Sequence, residues 1–232
     1  MYLRLSCPFR ITDVMEKSRQ DQLLDALLDR DITQFYELLQ YKDVNPNHKY
    51  DKPHYSTCLE IACRHVGCDE FVRVLLKFVK PNINNIYPEP IHHAAKRGHY
   101  EAIKILLDDK RTKVNAVDSQ GRTALHFALK EFGKGGMEDS LMRSDKCVEL
   151  LLNHPDTNIN CPNNKGFTPI FEAAYSGGQE AVESLLEHAK RQNKFLDLDT
   201  NTHMGKTARD FIEENYPDLK IKLPSNRTSG FF

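Results

Sequence analysis

Apolar positions along this chain fall into pairs of short stripes, and the sharpest pair lies between residues 90 and 107. In Pro90-Ile91-His92-His93-Ala94-Ala95-Lys96-Arg97 the middle positions are small, and Gly98 follows; after it, Ala102, Ile103, Leu106 and Leu107 recur on one face of a helical period. The spacing predicts two short antiparallel helices. Pro90 suits a first helical turn, where its missing N–H removes a donor without a partner, and Gly98 can take the left-handed conformation that ends a helix. Ala94 and Ala95 leave room for the second helix to approach closely.

Two such helices cannot hide their apolar faces alone, so the pattern predicts copies on both sides. Gly121-Arg122-Thr123-Ala124-Leu125-His126-Phe127-Ala128 and Gly166-Phe167-Thr168-Pro169-Ile170-Phe171-Glu172-Ala173-Ala174 repeat the first half, while Cys147-Val148-Glu149-Leu150-Leu151-Leu152 and Ala181-Val182-Glu183-Ser184-Leu185-Leu186 repeat the second. Pro90 and Ala124 hold one repeat position, at an interval near the ~33 residues of an ankyrin unit. With Thr123-Ala124-Leu125-His126 and Thr168-Pro169-Ile170-Phe171 in place of Thr-Pro-Leu-His, the chain resembles the ankyrin-repeat family. That resemblance implies an all-α ankyrin-repeat solenoid of about six helix-turn-helix units, with β-hairpin-like fingers and degenerate caps.

Residues 1–19 show no repeat and read as an irregular lead-in, and the array is expected over 20–219. Its units are placed at 20–49, 50–86, 87–117, 118–162 and 163–202, followed by a half-repeat at 203–219 and a tail at 220–232. In the first unit Leu23, Leu24 and Leu27 make one amphipathic helix and Phe35, Leu38 and Leu39 the next, with Asp31 as N-cap. The second carries the degenerate Thr57-Cys58-Leu59-Glu60-Ile61-Ala62-Cys63, then Phe71, Val74, Leu75 and Phe78 on one helical face, closing at Pro81-Asn82-Ile83-Asn84. Val114-Asn115 and Ile159-Asn160 close later units in the same way. The interval from Thr123 to Thr168 is longer than the period by about a dozen residues, which assigns 133–144 to an insertion loop between paired helices. A surface insertion of this size costs little, because loop-closure entropy grows with the logarithm of length.

Composition narrows the function. Charged residues make up 28% and the net charge is −1, which gives no general attraction to nucleic acid or to anionic membrane surfaces. Six cysteines without a disulfide-like framework read as reduced thiols and a cytoplasmic location. Arg4 and Pro8 interrupt the first ten residues before a signal-peptide core can form. The most apolar run, Phe71 to Val79, carries Arg73 and Lys77 and falls far short of the ~20 residues of a spanning helix, so no membrane span is expected in this chain.

Candidate chemistry is sparse. Cys58, Cys63, His65 and Cys68 follow C-x4-C-x-H-x2-C, which is not a usual zinc spacing, and Cys58 and Cys63 sit where the repeat packs. Gly133-Lys134-Gly135-Gly136 lacks the Walker spacing and a preceding strand. No nucleophile elbow, zinc-protease helix or kinase signature occurs, so we expect no enzyme, no metal and no cofactor. In the family the chain resembles, the His of Thr-Pro-Leu-His is buried and bonded within and between repeats; His92 and His126 stand there, and Glu60 replaces it in the second unit. What is left is a surface for other proteins, the concave side formed by fingers and first helices. Lys96, Arg97, Gln120, Arg122, Lys165, Phe167 and Tyr175 are placed on it, with Phe167 and Tyr175 as anchors because aromatics dominate binding hot spots.

Some elements are narrower than the generic repeat: Ser56-Thr57-Cys58-Leu59-Glu60-Ile61-Ala62 with Gly67-Cys68-Asp69-Glu70-Phe71-Val72, then Leu151-Leu152-Asn153-His154-Pro155, then Thr207-Ala208-Arg209-Asp210-Phe211-Ile212 with Tyr216-Pro217-Asp218-Leu219. They resemble the ankyrin part of insect TRPA-type transient receptor potential cation channels, of the painless and pyrexia kind. That resemblance implies a cytoplasmic channel segment at the inner face of a membrane, in contact with neighbouring subunits. The alternative expectation is a free-standing cytosolic ankyrin-repeat adaptor or scaffold.

Overall fold

The computed structural model describes residues 17–51, 56–78, 90–132 and 138–222, with side chains in the last stretch from 144 to 219. Residues 1–16 of the lead-in expected over 1–19, the Pro81 to Asn84 closure, the glycine run at 133–136 and the end of the tail lie outside the described residues, and Arg19 already begins the first helix.

Helices come in consecutive pairs. α1 (Arg19–Leu28) is followed by α2 (Ile32–Leu38), α3 (Cys58–Arg64) by α4 (Asp69–Phe78), α5 (Pro90–Arg97) by α6 (Tyr100–Asp108), and α7 (Ala124–Glu131) by α8 (Glu138–Asn153). α9 (Pro169–Glu172) runs through a π-helical turn (Ala173–Gly177) into α10 (Gly178–Arg191), and α11 (Ala208–Asn215) leads to a 3-10 segment (Pro217–Lys222). Among the described residues no strand forms; Tyr50 and Ser56 make an isolated antiparallel bridge. The fold is an all-α ankyrin-repeat solenoid.

The first helices start where the sequence supplies a cap. The Thr57 hydroxyl accepts from the Glu60 N–H while the Glu60 carboxylate accepts from the Thr57 N–H at 2.6 Å, a reciprocal capping box. Thr207 and Asp210 repeat it at α11, and at α7 His126 takes the place of the acid, its Nδ1 accepting from the Thr123 N–H. The Asp31 carboxylate caps α2 through the Gln34 N–H at 3.0 Å.

Burial follows the pairing. First helices stack side by side, α1 on α3, α3 on α5, α5 on α7, and α7 and α11 on α9 and its π turn. Behind them α4 packs on α2 and α6, and α6 on α8. Small residues set the distance between neighbouring units: Ala62, Ala94, Ala128 and Ala173 are all fully buried. The closest approach is at Gly177, where a Cβ would strike the Leu129 carbonyl. Ile61, Ile91, Ile103, Leu106, Leu125, Leu129 and Phe171 fill the space between helices, so each unit's core is completed by its neighbours.

Between units the chain forms finger turns of one recurring design. The Asp118 carboxylate accepts from the N–H groups of Gln120 and Arg122, the Asn163 side-chain oxygen from those of Lys165 and Phe167, and the Thr202 hydroxyl from that of Met204. Each turn ends on a left-handed glycine, Gly121, Gly166 or Gly205. At Gly166 a Cβ would also come within 2.7 Å of the Asn201 carbonyl, so the next finger closes over it. Adjacent fingers are tied by Asn164 N–H to the Gln120 carbonyl at 2.9 Å and His203 N–H to the Lys165 carbonyl at 3.0 Å.

Two asparagines make a second line of ties. The Asn115 side chain donates to the Asp156 carbonyl and accepts from the Asn158 N–H; Asn160 donates to the Phe195 carbonyl at 2.9 Å and accepts from the Asp197 N–H at 2.8 Å. Each spans two consecutive units through backbone groups alone. We expect Asn160→Ala to lower stability by about 1–2 kcal/mol in urea denaturation, since two bonds are lost and both backbone partners stay in place. Asn158→Ala, whose side chain accepts only from the nearby Asn160 N–H, is expected to cost less than half as much.

The expected 133–144 loop is corrected in its second half, because α8 begins at Glu138. Ser144, Cys147, Val148, Leu151 and Leu152 anchor this helix by burial. No Gly or Pro stands between Met137 and Asn153. Once the anchored part is formed, extending it backwards adds one backbone bond per residue with no new nucleation cost.

Candidate interaction face

The turn that ends each first helix places one side chain at an equivalent position in successive units. Counted from the buried pairs Ala62-Cys63, Ala94-Ala95, Ala128-Leu129 and Ala173-Ala174, the next residues are Arg64, Lys96, Lys130 and Tyr175. This column runs along the first-helix side, three cations followed by an aromatic. Lys96 and the adjacent Arg97 are exposed, and Arg64 and Lys130 are half-buried. Arg64 is oriented by His93, its Nε–H donating to Nδ1 at 3.2 Å. Burial and the Arg64 charge push His93 down to about 3, so it stays a neutral acceptor beside the cations.

Tyr175 is 52% exposed yet fixed. Its ring lies 5.6 Å from Phe167, 5.7 Å from Phe211 and 6.2 Å, stacked, from Phe171. An aromatic held by other aromatics loses little freedom when a partner covers it.

The other expected face residues divide. Gln120 and Lys165 are exposed on finger turns, with their carbonyls committed to the next finger. Arg122 is locked: Nε and a terminal nitrogen bind the Asp118 carboxylate at 2.8 and 2.6 Å, and the guanidinium lies 4.3 Å over the Phe127 ring. The pair holds the Asp118 carboxyl below its usual range despite burial. Phe167 as an exposed anchor is a correction, because it is only 6% exposed. Its N–H is held by Asn163 and its carbonyl by His126, which turns the ring inward among Phe171 at 4.4 Å, Tyr175 and His203 at 5.5 Å. Arg64 and Lys130 were missed by sequence reasoning. The repeat register alone identifies them, by counting from the buried pairs in the first helices.

The remaining titratable groups are engaged in the fold. His126 Nε2–H donates to the Phe167 carbonyl and His92 Nε2–H to the Ala116 carbonyl, both at 2.9 Å, each linking a first helix to the following finger region. The Glu172 carboxylate accepts from the Ser176 hydroxyl at 3.1 Å. Burial pushes the Cys58 and Cys147 thiols up to about 12 and Cys63 upward as well, which makes them poor nucleophiles. Among the described residues no group of three or more His, Cys, Asp or Glu side chains is arranged to hold a metal ion. Nor, among them, is any helix long and apolar enough to cross a membrane.

Comparison with known proteins gives the same picture of the repeat. A family model described as ankyrin repeats (3 copies) matches residues 59–140 and 139–196. The chain is 30% identical to human Rabankyrin-5 over 98 residues, 42% of this chain and 7% of that protein. It is 25% identical to Ankyrin repeat domain-containing protein 13C of Danio rerio over 138 residues, 58% of this chain and 25% of the relative. It is also 28% identical to Ankyrin repeat and SAM domain-containing protein 6 of Rattus norvegicus over 149 residues, 63% and 15% respectively. The chain thus spans a quarter or less of each of these relatives. The narrower resemblance to insect cation channels gains no support from them.

Proposed function

Because this chain belongs to the ankyrin-repeat family, a family of protein-interaction modules, we propose that it works as an adaptor or scaffold segment whose first-helix column binds an acidic partner carrying an apolar anchor. The observation that carries this reading is the column itself: Arg64, Lys96 and Lys130 in line with a half-exposed Tyr175 whose ring is already held. A preformed surface binds with little ordering cost, and its charge selects and steers the partner. The reading is non-enzymatic, since the buried histidines serve as structural donors and the buried thiols stay protonated.

Between the two narrower identities, the relatives favour the adaptor. The elements behind the channel resemblance have local structural duties here: Thr207 and Asp210 form a helix cap, and the His154-Pro155 segment follows the end of α8. We expect a Lys96→Glu, Tyr175→Ala variant to lose at least ten-fold in recovery of the partners captured by the unaltered protein, measured by quantitative affinity capture from cytosol. Unchanged recovery of every partner would remove this face from consideration.

A further inference from the structure

Resting on the first-helix column as the binding face, we propose that its partner is a proline-rich segment in polyproline-II conformation, with an acid at every third residue and an apolar anchor at each end of the acidic run. The column extends one unit beyond its cations. The Asp31 N–H bonds to the Ala26 carbonyl at 2.9 Å as the His99 N–H bonds to the Ala94 carbonyl at 2.9 Å, so Ala26 matches Ala94 and Leu28 matches Lys96. Leu28 is 52% exposed although Ala26 and Leu27 beside it are buried. Read once per unit, the position is therefore Leu28, Arg64, Lys96, Lys130 and Tyr175: an exposed aliphatic side chain, three cations and an exposed aromatic ring. In the sixth unit, where Thr207 caps α11 as Thr57 caps α3, it falls on Glu214, already paired with Lys206, which closes the run.

Charge and spacing together define the occupant. Among the described residues no Asp or Glu forms an ion pair with Arg64, Lys96 or Lys130, and Arg64 is held by the His93 ring instead of by an acid. Consecutive first helices touch, α1 on α3, α3 on α5, α5 on α7 and α7 on the turn that carries Tyr175. Helices in such contact stand ~8–10 Å apart, and the column repeats at that interval. A polyproline-II chain turns once in three residues and advances ~9 Å per turn, so every third side chain faces the array and meets the next unit. A β-strand covers about the same distance in three residues but turns the third side chain away. An α-helix matches only at every seventh residue, so five units would take ~29 residues. Polyproline II reaches them in ~13, and it is ordered before it binds.

The test titrates the full chain into fluorescein-labelled Leu-Pro-Pro-Glu-Pro-Pro-Glu-Pro-Pro-Glu-Pro-Pro-Leu, whose spacing reads the same from either end, with anisotropy as the readout. Saturable binding is expected, weakened at least five-fold when the same residues are rearranged as Leu-Pro-Glu-Pro-Glu-Pro-Glu-Pro-Leu-Pro-Pro-Pro-Pro. Leu28→Ser is expected to weaken binding of the first peptide at least three-fold at an unchanged thermal midpoint, and Leu28→Met to restore it. Tyr36→Ser, at a comparably exposed ring on the outer helix α2, is expected to leave binding within two-fold. No binding, equal binding of the two peptides, tighter binding of a helical peptide with the same groups at every seventh residue, or unchanged affinity in Leu28→Ser each overturns the proposal. The face is judged separately, by the Lys96→Glu, Tyr175→Ala variant. If that variant still loses its captured partners, the first-helix face stands and only the ligand assigned to it falls; if it captures them all, the face falls as well.

Discussion

Leu106→Ala is expected to lower the unfolding free energy by about 2–5 kcal/mol, the usual range for truncating a buried leucine where the surroundings only partly collapse. Leu106 is 1% exposed on α6, in a face shared with Ala102, Ile103 and Ile105. α6 lies against α4 on one side, α8 on the other and α5 beneath, so the missing methyl groups open space at the junction of three units. In a stack held by nearest-neighbour interfaces, a central defect also weakens coupling between the two halves. The urea transition is therefore expected to broaden as well as move. Leu107→Ala, at a half-buried neighbour on the same helix, is the internal comparison and should cost clearly less. A loss well under ~1 kcal/mol for Leu106→Ala would contradict the burial of this face.

Much of the fold is legible in the sequence because an ankyrin unit is fixed by local rules. Thr before a short helix, a small pair within it and a glycine in the finger each have a steric or hydrogen-bonding reason, seen at Thr57, Ala94-Ala95 and Gly166. The misses are of another kind. Phe167 follows a finger glycine, and nothing within the finger says whether its ring faces solvent; His203, from the next finger, helps to enclose it. Arg122 reads as an exposed cation until the turn brings Asp118 back to it. Residues 138–144 follow a glycine run and read as loop in the sequence, whereas their helix is decided by the burial of what comes after.

The first-helix column is a matter of register: one position, read once per repeat, gives Arg64, Lys96, Lys130 and Tyr175.

Acidification is expected to destabilise the array between pH 6.5 and about 4, with His126 as a principal cause. Its imidazole is 1% exposed and donates to the Phe167 carbonyl while accepting from the Thr123 N–H, so the folded state holds it neutral. Burial drives its pKa down from 6.5 to about 4. As pH falls through this window the unfolded chain takes up a proton that the folded chain refuses, and stability therefore falls with pH; it is fully present above 6.5. A shift of that size corresponds to about 3 kcal/mol. His93, lowered to about 3, and His92 and His188, all lowered by burial, act in the same direction, while Glu60, raised by burial, opposes them; Asp118, held down by Arg122 despite burial, adds to the loss only at lower pH, below the ordinary carboxylate range. His126→Gln keeps an amide donor for the carbonyl but cannot titrate. That variant is expected to be less stable at pH 7.5 and to show a shallower dependence of urea stability on pH between 6.5 and 4. An unchanged slope would mean that this histidine does not hold its proton-free form in the folded array, and that the link between α7 and the next finger is not the one described.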